Sequence, residues 1–152
     1  MPSFHDSQIS PYSPQQLYDL VVDIEKYPEF LPWCRAARIV KREENRLEAE
    51  LVISFKSITE SYVSEVTLYP VSDENPSPKV NVHMLRGPFE YLDNKWKFSP
   101  EDGGTRIDFL VDFRFRSRML DMLVGSLFGK ASAKMAQAFK TRAEQLYGNS
   151  TK

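Results

Sequence analysis

The stretch RIDFLVDFRFRSRMLDML, Arg106–Leu123, changes its period partway along. Ile107, Phe109, Val111, Phe113 and Phe115 fall at every second position, the spacing of a strand that buries one face. Beyond Ser117 the apolar residues Leu120 and Leu123 recur at helical spacing, so the strand hands over to a helix with Ser117 as its N-cap. That helix is predicted to run to just before Gly148, with Leu127, Met135, Ala138, Phe139 and Leu146 continuing its apolar positions and Arg142 replacing one expected hydrophobe. About 30 residues at roughly 1.5 Å each span some 45 Å, enough to cross a whole twisted sheet.

Upstream, the period of two persists. Leu47, Ala49, Leu51, Ile53 and Phe55 alternate with Glu48, Glu50, Val52 and Ser54, and similar alternation marks Tyr62–Leu68, Val80–Met84 and Leu92–Phe98. Polar turns separate these runs, SDENPSP at Ser72–Pro78 and PEDGGT at Pro100–Thr105, the latter reading as a hairpin. Short connections between successive strands predict an antiparallel sheet.

The amino-terminal part supplies a short strand near Phe4–Ile9 and then a helix start. In PYSPQQLYDLV, Ser13 is the predicted N-cap, Pro14 the first helical residue and Gln16 the reciprocal capping partner, with Tyr12 and Leu17 spaced as a hydrophobic staple. Leu17, Leu20, Val21 and Ile24 form one apolar stripe. Pro28 disfavours helical geometry at Tyr27, so the helix breaks there or restarts as a short turn through Phe30. The segment EKYPEFLPWC, Glu25–Cys34, thus carries four large apolar residues on a turn stiffened by Pro28 and Pro32.

Strand, two short helices, about six antiparallel strands and a long helix define an α+β fold of helix-grip type, a curved antiparallel sheet wrapped around the C-terminal helix. Residues 1–148 are expected to form one domain, with 149–152 a short polar tail. One helix does not fill a strongly curved sheet, and apolar space of that kind suits a ligand. The expected floor comprises Leu51, Ile53, Val66, Met84, Trp96, Phe109, Val111 and Phe113, and the expected roof Leu123, Leu127, Met135 and Phe139. Tyr27 and Trp33 are expected at the entrance, with Phe30 and Leu31 anchoring the turn in the core.

Composition narrows the function. The 152 residues are 41% hydrophobic and 27% charged with a net charge of -1, which excludes a globally basic nucleic-acid binder. The single cysteine, Cys34, permits no intrachain disulfide and fits a reducing compartment. The segment MPSFHDSQIS has no signal-peptide pattern, and no window approaches 18 uninterrupted apolar residues. The expectation is a cytoplasmic protein, peripheral at most to the inner membrane.

Catalysis has little to build on. His5 and His83 match no metal spacing; His83 is expected to face solvent and Cys34 to be a small buried hydrophobe. Asp6, Asp23, Glu25 and Glu29 near helix starts read as caps or dipole partners. No catalytic residue and no metal site is assigned, and the chain is expected not to be an enzyme. Arg114, Arg116 and Arg118 precede Met119, Leu120, Met122 and Leu123. They read either as a solvated strand edge balanced by Asp108, Asp112 and Asp121, or as a contact for an anionic membrane or ribosomal RNA. Gly125 and Gly129 in the long helix read as close helix-to-sheet contacts or as a hinge.

The segments DIEKYPEFLPWC and GPFEYLDNKWKF, Gly87–Phe98, together with the terminal helix, resemble the coenzyme Q-binding proteins of the START-like superfamily and equally their bacterial relatives, the ribosome association toxins (RatA). The resemblance covers nearly the whole chain. It implies a cavity for ubiquinone or a related polyprenyl lipid, held as ligand with no cofactor required, in support of respiratory electron transport. The alternatives are a toxin that binds the large ribosomal subunit and blocks subunit association, and a cyclase- or hydrolase-like enzyme of the polyketide cyclase/dehydrase superfamily, which needs convergent polar groups in the pocket.

Overall fold

The computed structural model describes residues 3–31, 33–55, 58–125 and 128–148. Seven strands form one sheet: β1 (Ser3–Ser10), β2 (Cys34–Glu43), β3 (Arg46–Phe55), β4 (Ile58–Tyr69), β5 (Lys79–Arg86), β6 (Phe89–Glu101) and β7 (Gly104–Phe115). Their spatial order is β1-β7-β6-β5-β4-β3-β2 and every pair is antiparallel. Five consecutive connections thus form a meander from β2 to β7, and β1 closes onto β7. Bulges interrupt β2, β4–β5 and the start of β6, and such extra residues bend a sheet toward one face.

Helix α1 (Pro14–Val22) begins as its sequence dictates. The Ser13 hydroxyl accepts from the Gln16 N–H at 3.1 Å, and the Gln16 side-chain carbonyl accepts from the Ser13 N–H at 3.0 Å. Leu17, Leu20 and Val21 are buried on its inner stripe. A 3-10 turn, Ile24–Glu29, follows with Pro28 inside it, so the chain restarts after the break and ends at Phe30.

The C-terminal part is helical over α2 (Arg118–Gly125) and α3 (Phe128–Tyr147). Ser117 caps α2: its hydroxyl accepts from the Leu120 N–H at 3.2 Å. Gly125 is the last residue of α2 and Gly129 lies in the first turn of α3; residues 126 and 127, including the expected roof residue Leu127, lie outside the described residues, as do the side chain of Leu123, Pro32 and the tail 149–152. No helix among the described residues is long and apolar enough to cross a membrane.

The core lies between the sheet's concave face and α1 with α3. Leu47, Val66, Val80 and Phe98 are almost fully enclosed, and Phe139 and Ala143 of α3 close over them. Gly87 sits at φ +154°, and a Cβ there would lie 2.5 Å from Cβ of Tyr62, so the β5–β6 turn approaches β4 as only glycine allows.

Candidate functional site

Alternation brings Ala49, Leu51 and Ile53 of β3 beside Tyr62, Ser64 and Val66 of β4, with Val82, Asn94 and Trp96 farther across the sheet. Ile24, Tyr27, Leu31, Trp33 and Cys34 close one end, and Met135 and Phe139 lie above. The result is a mostly apolar cleft of about 100 Å³. Of the residues expected to line it, Tyr27, Trp33, Leu51, Ile53, Val66, Trp96, Met135 and Phe139 do so.

The remaining expected floor residues sit elsewhere on the same face. Trp96 and Phe139 meet edge to face at 4.9 Å and line both this cleft and a smaller one of about 60 Å³, bordered by β1, α1 and α3, to which Phe109 belongs. Met84, Val111 and Phe113 are buried but do not line the larger cleft; Phe113 packs edge-on against Phe89 and Phe115 at 5.5 Å each. The expected continuous floor is therefore divided, because two large rings occupy its middle.

The aromatic turn is held more tightly than its sequence indicates. The Tyr27 hydroxyl donates to the Val21 carbonyl, and its ring packs against Phe30 and Phe139 at 5.9 and 5.4 Å. Burial pushes the Tyr27 phenol well above its ordinary pKa. Its polar tip thus points into the fold while its ring lines the cleft. Leu31 is buried, whereas Phe30 is half-buried between the Phe139 ring, at 5.1 Å, and the Arg142 guanidinium, at 5.2 Å. Arg142 also pairs with Glu29 at 2.8 Å, and this hydrogen bond holds the Glu29 carboxyl below the usual range. The hydrophobe missing from the α3 pattern is thereby explained: Arg142 clamps the terminal helix to the turn.

Few polar groups face the cleft. Asn94 donates to the Leu110 carbonyl at 2.8 Å and accepts from the Trp96 indole at 3.0 Å. The Cys34 thiol donates to the Ala36 carbonyl, and burial pushes its pKa up to about 11, the state of a structural rather than a nucleophilic thiol. The Ser64 hydroxyl, 1% exposed, has no hydrogen-bond partner among the described residues. Sequence reasoning passed over Ser64 and Asn94, although each occupies an inward position, two residues from Val66 and Trp96 respectively.

The arginine cluster lies apart. Arg114, Arg116, Arg118 and Met122 border an open cleft of about 480 Å³ beside Glu90 and Asp121. Its ion partner differs from the expected aspartates: Arg114 lies 3.8 Å from Glu90, while Asp121 accepts from the Phe115 N–H. Nor is β7 an edge strand, since it lies between β1 and β6. Arg116 donates to the Phe89 carbonyl at 2.9 Å, and Met119 and Met122 are 74% and 77% exposed. His83 is exposed and 2.9 Å from Asp93, away from the cleft.

A curved seven-stranded sheet gripping a C-terminal helix over an apolar cleft defines a START-like, helix-grip protein. Residues 10–140 match the family described as polyketide cyclase / dehydrase and lipid transport, and the chain belongs to it. It is 42% identical over 146 residues to Ribosome association toxin RatA of Rickettsia prowazekii, covering 96% of this chain and 99% of that protein. It is 30% identical over 150 residues to a mitochondrial coenzyme Q-binding protein of Xenopus laevis, covering 95% of this chain and 59% of that one. Among solved structures, an 18 kDa protein from Caulobacter crescentus aligns with a TM-score of 0.74 at 32% identity over 97% of this chain and 99% of that one. A START superfamily protein from Mycobacterium smegmatis aligns at 0.77 with 18% identity, over 95% and 98% of the two chains, a likeness of fold.

Proposed function

We propose that the protein binds one molecule of ubiquinone or a related polyprenyl lipid between the sheet and α3 and supports its use in respiratory electron transport, carrying it unchanged. The observation that carries this reading is the cleft lining, aromatic and aliphatic with a few neutral polar groups. Absence of catalysis is part of the proposal: among the described residues the lining side chains include no carboxylate or histidine, and burial holds the Cys34 thiol protonated at neutral pH. The coenzyme Q-binding relative adds support. Native mass spectrometry of protein purified from its own host, followed by lipid extraction, tests it. A co-purifying quinone at one per chain is the expected result, and a chain that carries no lipid and binds no added decylubiquinone removes the reading.

A second reading has its own observation. The cleft bordered by Arg114, Arg116 and Arg118, with Met119 exposed beside it, suits phosphate-rich surfaces, and the relatives named ribosome association toxin support reading the partner as the ribosome, here its large subunit, ahead of a peripheral membrane site. Co-sedimentation with 50S subunits separates the two partners from each other when run beside liposome flotation. Loss of sedimentation in an Arg114→Glu/Arg118→Glu variant would support the ribosomal contact, and unchanged sedimentation would discard it.

A further inference from the structure

Ser64 is, among the described residues, a buried polar side chain of the cleft whose hydroxyl the fold itself does not use. It stands opposite Ala49 on β3 and Met84 on β5, neither of which offers its side chain as a hydrogen-bond partner. Its hydroxyl is enclosed, lines the cleft, and has no partner among the described residues. A buried hydroxyl left unpaired carries the full cost of its desolvation, and such groups in folded proteins call for an explanation outside the fold. Of the polar groups around it, the Asn94 amide is committed to Leu110 and Trp96, the Cys34 thiol to Ala36 and the Tyr27 hydroxyl to Val21, while the Tyr62 phenol lines the same cleft as a second neutral donor.

The same lining restricts what the hydroxyl can meet. Among the described residues no lysine, arginine, histidine, aspartate or glutamate lines the cleft, so an ionised head group would meet no counter-charge from them. A fatty-acid carboxylate or a phosphate is therefore disfavoured, whereas a neutral carbonyl or ether oxygen needs only a donor. The aromatic rings of Trp33, Trp96 and Phe139 offer a planar head group faces and edges to pack against.

Resting on the carrier reading above, we infer that the Ser64 hydroxyl donates a hydrogen bond to a neutral oxygen of the ligand's head group, a quinone carbonyl or ring ether, so that the ligand enters head first and is selected against anionic lipids. Ser64 is then the specificity-determining contact of the cleft.

Isothermal calorimetry on the full chain with three probes tests this: decylubiquinone, decylbenzene and ionised decanoate. Ser64→Ala is expected to weaken decylubiquinone about tenfold, the effect of one lost hydrogen bond, and to leave decylbenzene within about twofold. Decanoate is expected to bind the wild type at least about tenfold more weakly than decylubiquinone. Ligand-free Ser64→Ala is expected to melt higher than the wild type, having lost an unpaired buried group, and Ser64→Thr to retain quinone affinity. Equal decylubiquinone affinity in Ser64→Ala and wild type, or equal weakening of decylubiquinone and decylbenzene, would overturn the inference and leave the carrier reading standing. A wild type that binds neither neutral probe removes the carrier reading as well.

Discussion

Phe139 of α3 meets Trp96 of β6 edge to face at 4.9 Å, and this contact is the wall between two clefts. Phe139 also touches Tyr27 and Phe30, at 5.4 and 5.1 Å, so one ring joins the sheet, the terminal helix and the aromatic turn. Phe139→Ala is expected to destabilise the fold by about 3–5 kcal/mol, the usual cost of truncating a buried Phe, and to merge the clefts. Urea denaturation measures the first effect; xenon or benzene binding to the variant measures the second. A loss below about 1 kcal/mol would mean that the ring is not the keystone its contacts indicate.

Leu31 and Trp33 are expected to separate anchoring from ligand contact. Leu31 is 6% exposed, and Leu31→Ala is expected to cost about 2–5 kcal/mol. Trp33 is half-buried and lines the cleft, so Trp33→Ala should cost less stability and more decylubiquinone affinity. Thermal melting beside quinone titration distinguishes them, and a Trp33 variant that melts as early as the Leu31 variant with undiminished binding would make the whole turn packing.

Arg142→Gln should loosen the turn. Its guanidinium lies over Phe30 and pairs with Glu29, while the Phe30 and Leu31 N–H groups both donate to the Tyr27 carbonyl. Faster hydrogen exchange at Phe30 and Leu31, with little change in the sheet, is the expected signature. In the wild type the Glu29 carboxyl titrates below its ordinary value because Arg142 donates to it. A depressed folded pKa means that this contribution is present above the unfolded carboxylate range and disappears as pH falls through the lower folded value. Protection factors at the turn, taken relative to the intrinsic exchange rate at each pH, are thus expected to fall on acidification below the normal glutamate range, and the Arg142 variant to lack that step.

Cys34 sets an alkaline limit. Its thiol is held up to about 11 by burial, against 9.0 for the free group. A raised folded pKa means that the stabilisation is complete below the unfolded value and is lost as pH rises through the folded one. Unfolding free energy is expected to fall between about pH 9 and 11, with Cys34→Ala showing a shallower decline in urea titrations. Alkylation by iodoacetamide at pH 8 should be slow in the native state and fast in urea. Rapid native alkylation would contradict the enclosed thiol.

The strands and caps were legible because their causes are local. Period-two runs located β3 to β7, and the Ser13–Gln16 spacing located the start of α1, since both depend on residues a few positions apart. Part of the cleft's lining was legible for the same reason: Leu51, Ile53, Val66 and Trp96 follow from alternation. What alternation cannot express is how far a side chain reaches across the fold. The Trp96–Phe139 wall and the Arg142 clamp join residues distant in sequence, and the Tyr27 hydroxyl turns back to Val21 six residues earlier, a reach that periodicity does not describe. Ser64 was hidden by a different cause: a small polar residue at an inward position reads as tolerable until its neighbours are found to offer it nothing.

The pairing of β1 with β7 also dictates an order of assembly. Ser3 lies opposite Asp112 and Ser10 opposite Thr105, closing a loop of about a hundred residues. During synthesis at roughly 5–20 residues per second, β1 waits some 5 to 20 seconds without its partner. Six of its eight residues, Ser3, His5, Asp6, Ser7, Gln8 and Ser10, are polar, a composition that resists self-association while the strand is unpaired. β1 consequently cannot enter the sheet before β7, the last strand of the meander, has been made.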